Sequence, residues 1–334
     1  MVKHLLIKLK SESIQIMNKN FGLIGAAGYV APKHMEAIKK ADCDLIVTLD
    51  PNDSVGVIDK YFPNAQFFKE FERFDRHIDK MRRSKELPKI DYISICSPNF
   101  LHDAHIRFSL RSGCECICEK PLVLNPWNID GLKDIEKETG KKVNTILQLR
   151  LHPTIVELKK NIDKNTKTKY EIDLTYITPR GNWYLQSWKG EEKKSGGIAT
   201  NIGVHFFDML HFLFGQIKEN KVFLRTNTKS SGFLEFENAR VRWYLSIDRS
   251  DLIDKVKQKN NSAYRSITIN QKELEFSSGF TDLHQLSYFN ILNGKGFTLE
   301  DNRPCIETVS LIRTLQLSRE GDLAHPFLSK KLSK

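Results

Sequence analysis

Residues 20–50 constrain what this chain can fold into more than any other stretch. Phe21-Gly22-Leu23-Ile24 is a short apolar run of the kind that makes a strand buried on both faces. Gly25-Ala26-Ala27-Gly28-Tyr29-Val30-Ala31 follows, and then residues 32–40, where Met35, Ala37 and Ile38 fit one side of a helix. Leu45-Ile46-Val47-Thr48-Leu49 reads as a second buried strand that ends on Asp50. Strand, small-residue turn, helix and a second strand closed by an acid make a dinucleotide-binding βαβ unit. Small residues let backbone N–H groups approach a pyrophosphate, the helix N-terminus carries partial positive charge, and the acid accepts from ribose hydroxyls.

The spacing departs from the usual G-x-G-x-x-G. Gly25, Gly28 and Ala31 give G-x-x-G-x-x-A, a turn one residue longer, and the loop alone leaves a plain glycine turn open. Asp50 lies 22 positions after Gly28, close to the expected offset of about 20. The implied ligand is a nicotinamide or flavin nucleotide contacted by Gly25, Ala27, Gly28, Tyr29, Val30 and Asp50. A carboxylate at Asp50 would repel a 2′-phosphate, which favours NAD over NADP.

At 334 residues the chain exceeds what one core usually organises, so two domains are expected. No apolar run approaches the roughly 18 residues a membrane span needs. The net charge of +11 comes from 52 basic and 41 acidic residues. The lysines are scattered over stretches 159–169, 189–194 and 255–259 without interleaved aromatics, so nucleic acid is not the expected partner. A phosphorylated small substrate accounts for part of the excess. Cys114, Cys116 and Cys118 alternate at period two, not in the C-x-x-C spacing of zinc or redox sites. With Cys43, Cys96 and Cys305 they read as buried thiols of a reducing cytoplasm.

Met1 to Ile16 fits nothing downstream; it reads as an extension, with Met17 a natural alternative start. Phe71 to Arg83 carries Phe71, Phe74, Ile78 and Met81 at helical spacing. Ile90 to Cys96 is the next strand, ending in the polar turn Ser97-Pro98-Asn99-Phe100-Leu101-His102, where open α/β sheets bind ligands. His102 and His105 then open a helix, either as ligand contacts or as ordinary capping histidines. Glu115 to Cys118 is a strand running into Glu119-Lys120-Pro121, and Val143 to Leu147 leads to Gln148-Leu149-Arg150.

A Rossmann start, a strand ending Ser-Pro-Asn-x-x-His and a later strand ending Glu-Lys-Pro resemble the Gfo/Idh/MocA oxidoreductase family. The resemblance covers nearly everything from Met17 onward. It implies an NAD-binding Rossmann domain at 17–150 and a second α+β domain at 151–334 with a large, mainly antiparallel open sheet, whose open face serves homo-oligomer contacts. It further implies that Lys120 projects beside the nicotinamide, and that Ser97, Asn99, His102, Glu119, Lys120 and Gln148 join the cofactor contacts. Physically, a lysine at a strand end holds a substrate hydroxyl and stabilises the alkoxide formed on oxidation. Gln148 and Arg150 are expected to line the cleft, and Arg150 suits a carboxylate or phosphate through its planar fork.

Beyond residue 151 the chain alternates polar and apolar residues over 170–178, 221–226, 232–236, 239–247 and 266–276, the pattern of an antiparallel sheet with one covered face. Two segments between these strands carry chemistry. One runs from Thr178 through Arg180 to Trp188 and Gly190; the other is Ser195 to Asp208. Asn201, His205 and Asp208 stand at i, i+4 and i+7, so they can share a helical face. In the family this matches Asp-x-x-x-His-x-x-Asp, with the histidine as proton acceptor. Asn201 replaces the first Asp, which alters the Asp–His arrangement. The substrate contacts are therefore Arg150, Arg180, Trp188, Asn201, His205 and Asp208, the catalytic residues Lys120, His205 and Asn201, and no metal is expected. Which of Lys120 and His205 takes the proton is left open. Phrases such as Gly-Ala-Ala-Gly-Tyr-Val-Ala-Pro-Lys-His and Leu-Gln-Leu-Arg-Leu-His-Pro resemble the subgroup that oxidises the C3 hydroxyl of a UDP-linked N-acetylated amino-sugar uronic acid for surface polysaccharide. A family dehydrogenase of a free sugar, inositol or polyol is the alternative, and a catalytically silent nucleotide sensor is a third.

Overall fold

The computed structural model describes residues 18–163, 168–253, 263–275, 282–319 and 321–328. The expected extension at 1–16, Met17, the lysine run 255–259 and the end of the strand expected to reach 276 lie outside them. The chain divides into two compact units. Residues up to Leu151 form the first together with the stretch ending at Arg303; His152 onward and Pro304 onward form the second.

In the first unit β1 (Asn20–Ile24), β2 (Asp44–Leu49), β3 (Gln66–Phe68), β4 (Tyr92–Ile95), β5 (Glu115–Cys118) and β6 (Val143–Thr145) form one parallel sheet in the order β3-β2-β1-β4-β5-β6. The strand order reverses between β1 and β4. Open α/β sheets bind ligands at such a switch point, beyond the carboxyl ends of the strands. The helices are α1 (Ala31–Lys40), α2 (Val57–Tyr61), α3 (Phe71–Arg83), α4 (His102–Arg111) and α5 (Pro126–Thr139). Phe21 and Leu23 of β1 meet Met35, Ala37 and Ile38 of α1 in a shared core. Phe74, Ile78 and Met81 are the buried face of α3, whereas Phe71 at its start is partly exposed. Cys114, Cys116 and Cys118 are buried free thiols, and burial raises all three above the ordinary thiol range.

One return of the chain was not expected. The sequence puts everything after residue 151 into the second domain, but α8 (Leu283–Leu292) brings Tyr288 and Ile291 into the core of β1 and α1. Phe297 then forms an antiparallel bridge with Thr145 at the end of β6. Next in the chain is α9 (Leu299–Thr314), which runs through Pro304. Its start has a cause legible in retrospect. Thr298 Oγ1 accepts from the Asp301 N–H at 3.4 Å, and Asp301 Oδ2 accepts from the Thr298 N–H at 2.8 Å, a capping box that fixes the first turn upstream of the proline.

The second unit holds α6 (Pro153–Asn161) and a six-stranded mixed sheet of β7 (Tyr170–Ile177), β8 (Ile217–Arg225), β9 (Lys229–Phe236), β10 (Ala239–Ser246), β11 (Tyr264–Ile269) and β12 (Lys272–Glu275). The order is β12-β11-β7-β10-β9-β8; among these described strands β7 and β10 pair in parallel and the other neighbours antiparallel. The stretch expected to be one strand from 266 to 276 is a hairpin. Asn270 and Gln271 both take positive φ, +47° and +68°, so the chain reverses there without the usual glycine. The helix α7 (Val204–Phe214) covers one face, with the Phe207 ring edge-on to Trp243 at 5.3 Å and Phe214 against Phe236.

Successive side chains of a strand point to opposite faces, so Tyr244, beside Trp243, points away from α7. There the C-terminal segment, which carries no signal in the sequence, packs on the sheet. Ala324 and Leu328 join Ile177, Phe223, Phe233 and Tyr244 in one cluster, and His325 and Phe327 stack on the Tyr244 ring. The face expected to stay open is covered at this end.

His325 is almost fully buried, with Nε2 3.1 Å from the Thr175 hydroxyl, and burial pushes its imidazole down to about 3. An imidazole with a depressed folded value leaves the unfolded chain to bind the proton first, so stability is lost as pH falls below about 6.5 toward 3, on the order of a few kcal/mol. Thermal melts between about pH 7.5 and about pH 4 should show a falling midpoint in the wild type and a shallower slope in His325→Phe. Equal slopes would remove His325 from the account.

Candidate active site

The loop after β1 is held by its own backbone. The Gly25 N–H donates to Leu49 O at 2.8 Å, and the Gly28 N–H donates to Gly25 O at 3.0 Å. Gly25 has φ +91°, and a Cβ there would stand 2.6 Å from the backbone of Cys96 and Ser97. Gly28 is nearly as tight, 3.0 Å from Gly25 O. This explains why the lengthened turn still needs glycine: β1 and β4 bring their following loops into contact. Asp50 accepts from the Ala27 N–H at 2.9 Å through one oxygen and from the Asn52 N–H at 2.8 Å through the other. Each carboxylate oxygen has a second lone pair, so Asp50 closes the loop and still accepts from a ribose. α1 starts on Val30 with no side-chain cap and with Pro32 in its first turn. The Ala31 and Lys33 amides at that start are already bonded to Gly28 O at 3.0 Å and Val30 O at 2.9 Å, so what the helix offers an anion is the partial positive charge of its N-terminus. Tyr29 is fully exposed on the same loop. A tight loop that lacks Cβ atoms at Gly25 and Gly28, a helix start and an acid together fit an adenine dinucleotide.

The residues beyond β4 and β5 behave less uniformly than expected. Ser97 and Asn99 are buried, and the Ser97 hydroxyl lies 2.8 Å from His105 Nδ1. Both nitrogens of His102 face backbone carbonyls, Nδ1 at 2.7 Å from Pro121 O and Nε2 at 2.9 Å from Ser97 O. His102 therefore ties the β4 loop to the β5 loop, and the open choice between ligand contact and structural histidine falls toward structure. Glu119, expected at the cofactor, is buried and turned inward. Its Oε1 lies 3.0 Å from both His34 Nε2 and His284 Nε2, and its Oε2 accepts from the Lys120 N–H at 3.2 Å. Burial alone would push this carboxyl up, but the hydrogen bonds from His284 and His34 outweigh it and hold the group well below the ordinary carboxylate range. Burial keeps His34 below the ordinary imidazole range. Lys120 follows directly and is half-buried, joined to Pro121 by a cis peptide bond.

His34, Glu119 and His284 place one donor atom each within 4.8 Å of one another, a donor set the sequence reading did not anticipate. His284 lies 165 positions from Glu119, which is why no motif announces it. Gln148 stands 3.3 Å from the same His284 nitrogen. Arg150 is the clearest departure. Expected to meet a substrate anion, its guanidinium donates to Asp301 Oδ1 at 3.0 Å and to Asp301 O at 2.7 Å, with the Phe297 ring 5.2 Å away. The fork that suits a phosphate also suits this internal carboxylate.

In the second unit the segment before α7 is a π-helix, Ala199–Gly203, a wider turn often seen at functional positions. It follows Gly196 and Gly197, both at positive φ. Asn201 lies within it and donates to the Tyr184 hydroxyl. His205 is partly exposed in the first turn of α7, but Asp208 is 1% exposed. The widened turn changes the phase of Asn201 relative to the helix that follows, while His205 and Asp208 stand three apart within regular α7 and Asp208 is on its buried side. Trp188 is partly exposed, with Lys189 Nζ 4.3 Å from its ring. Arg180 is near Tyr184 and Tyr176, and the Arg265 guanidinium lies 5.2 Å from the Tyr176 ring. Burial pushes the Tyr176 hydroxyl up, but Arg265, Thr178 and Arg180 outweigh it and leave it below its ordinary range. Arg265 and Tyr184 were missed; the first sits in an unremarkable alternating strand, and the second is one aromatic among several.

The chain matches two family models, an oxidoreductase family NAD-binding Rossmann fold over residues 19–146 and the C-terminal alpha/beta domain of that family over 166–254. Among solved structures it is similar to the WlbA (WbpB) dehydrogenase of Thermus thermophilus in complex with NAD and alpha-ketoglutarate, at 46% identity and a TM-score of 0.89, over 92% of this chain and 99% of that one. The same enzyme in complex with NAD and UDP-GlcNAcA gives 46% identity, a TM-score of 0.88 and the same coverage. Inositol 2-dehydrogenase of Rhizobium meliloti is 27% identical over 60% of this chain and 56% of that protein. D-glucoside 3-dehydrogenase of Escherichia coli is 26% identical over 38% and 36%. The chain thus spans about half or less of the length of these curated relatives.

Two glycine substitutions separate the cradle from an ordinary turn. Gly25→Ala combines a left-handed backbone with a backbone clash, so it should cost about 2–4 kcal/mol and weaken NAD binding by at least about tenfold. Gly56→Ala meets nothing within 4 Å and should change stability by less than about 1 kcal/mol with NAD affinity intact. Calorimetric titration with NAD and thermal melts read both.

Proposed function

The chain belongs to the Gfo/Idh/MocA oxidoreductase family, and from that premise we propose that it oxidises the C3 hydroxyl of a UDP-linked N-acetylated amino-sugar uronic acid to the 3-keto sugar, with NAD as acceptor. The observation that carries this reading is the likeness to the Thermus thermophilus enzyme crystallised with NAD and UDP-GlcNAcA, at 46% identity over nearly the whole of both chains. The Gly25–Gly28 loop, the start of α1 and Asp50 would hold the dinucleotide. Bound NAD supplies the acceptor for the hydride that leaves C3.

The protein's own residues do the rest. His205 takes the C3 hydroxyl proton, general-base help of a kind typically worth about 10²–10⁴-fold. Lys120 carries positive charge toward the oxygen as its negative charge develops. Asn201, held by Tyr184, orients a sugar hydroxyl. Arg180 replaces Arg150 as the residue for the uronate carboxylate or the diphosphate, with Arg265 adding to the local positive field. The 3-keto product is the substrate a transamination needs to make a diamino sugar for surface polysaccharide. The enzyme acts in the cytoplasm as a homo-oligomer through the part of the second sheet that residues 321–328 leave uncovered. No helix among the described residues is long and apolar enough to cross a membrane, which agrees with such a setting.

A second reading, oxidation of a free sugar or inositol, is favoured by the 26–27% matches to inositol and glucoside dehydrogenases. NADH formation followed by absorbance separates the two, with a panel of UDP-uronates against free hexoses and inositol, each with and without alpha-ketoglutarate. Turnover only with UDP-uronates is expected; turnover only with free polyols would overturn the reading. Lys120→Ala and His205→Ala should each lower kcat by about 10²–10⁴-fold while the NAD dissociation constant changes by less than about threefold. Loss of the acidic limb of the kcat/KM profile, the fall in activity as pH drops and the base is protonated, in one variant alone identifies the proton acceptor.

A further inference from the structure

We infer that Glu119 is a positioning residue for Lys120, acting through a buried hydrogen-bond network with His34, His284, Tyr288 and Ser94; the inference rests on the catalytic reading of Lys120 given above. Glu119 is the residue immediately before Lys120, and its carboxylate is spent entirely inside the first unit. One oxygen accepts from His34 and from His284 at 3.0 Å each; the other accepts from the Lys120 N–H itself.

The three partners come from three places. His34 lies on α1, the helix whose start closes the glycine loop, and is fully buried. His284 lies on α8, the helix that returns from far along the chain. The Lys120 amide lies at the end of β5. One carboxylate thus fixes the lysine-bearing peptide relative to the glycine loop.

The network extends past His34. Burial lowers the His34 imidazole below its ordinary range, and in the tautomer whose Nε2 donates to Glu119 its Nδ1 accepts from the Tyr288 hydroxyl at 2.7 Å. The Ser94 hydroxyl, 2.6 Å from Tyr288, then donates to it, which anchors the chain of bonds in β4. On the other side His102 bonds Pro121 O. Lys120 is held through its own N–H and through the carbonyl of the next residue. A buried carboxylate in such a setting is retained only when every lone pair facing the interior is matched, because an unmatched one costs several kcal/mol. That expense is intelligible if the geometry it secures matters, since a misplacement of about 1 Å at a reacting group costs about 10²-fold in rate.

Three variants test the inference. Glu119→Ala should lower kcat by about 10²-fold while KM for the UDP-uronate and the NAD dissociation constant change by less than about threefold. Glu119→Gln keeps one acceptor oxygen and should recover at least about tenfold of that loss. His284→Leu removes one of the three donors and leaves the Lys120 bond, so its loss should be about tenfold, which keeps the test alive if Glu119→Ala does not fold. A readout independent of turnover is the acetylation rate of Lys120 by trace acetic anhydride, measured by mass spectrometry against exposed Lys85. It should change by about threefold or more in Glu119→Gln and in His284→Leu, with Lys85 unchanged. Unchanged Lys120 acetylation, a kcat loss that merely tracks the folded fraction, or stoichiometric zinc or iron retained by the wild type and lost in Glu119→Gln would each overturn it. Should the wild type reduce no NAD with any UDP-uronate, the functional reading fails, and the acetylation rates still decide the positioning.

Discussion

Glu119 carries a charge at 6% exposure, and most of the first unit's particular arrangement follows from what that charge requires. An isolated buried carboxylate is too costly to keep, so donors must converge on it. They arrive from α1, from α8 and from the next peptide in the chain. The convergence explains why a helix more than a hundred residues downstream returns to the Rossmann sheet. It also explains why α8 is buried on several sides, with Leu283, Leu286, Tyr288 and Ile291 all inside. The apolar contacts give α8 its stability, and the carboxylate gives it its register.

The second unit is organised by a different constraint, the alternation of side chains along β7 and β10. Trp243 and Tyr244 are neighbours in sequence and face opposite layers. The Trp243 side receives α7 with Phe207 and Phe214; the Tyr244 side receives residues 321–328. Because α7 sits over the sheet on its aromatic face, the π-helical turn before it holds Asn201 against Tyr184. The same packing that makes the layer stable therefore decides which polar residues at its end stay accessible.

Much of this was legible beforehand, and the particular failures are instructive. The glycine loop, the acid at Asp50, the lysine after β5 and the histidine of α7 all lie in local patterns whose physics does not depend on distant residues. Arg150 and Glu119 were misjudged for one shared reason. Each is a charged residue at a strand end or loop, where a ligand contact is a fair expectation, and each found an internal partner first. Asp208 lies on the buried side of α7, a burial that the i, i+4, i+7 spacing does not show. The hairpin at Asn270-Gln271 failed because neither residue is glycine, although both adopt positive φ.

By itself, then, the amino-acid sequence determined the two-part architecture, the nucleotide-binding half and the cofactor class, because small-residue turns and buried strands are encoded within about 30 residues of chain. Only the tertiary structure decided which charged side chains remain for a ligand. That depends on partners such as Asp301 for Arg150 and His284 for Glu119, which stand 151 and 165 positions away. Hydrogen-bond satisfaction of buried charge is a property of three-dimensional neighbours, and no local pattern carries it.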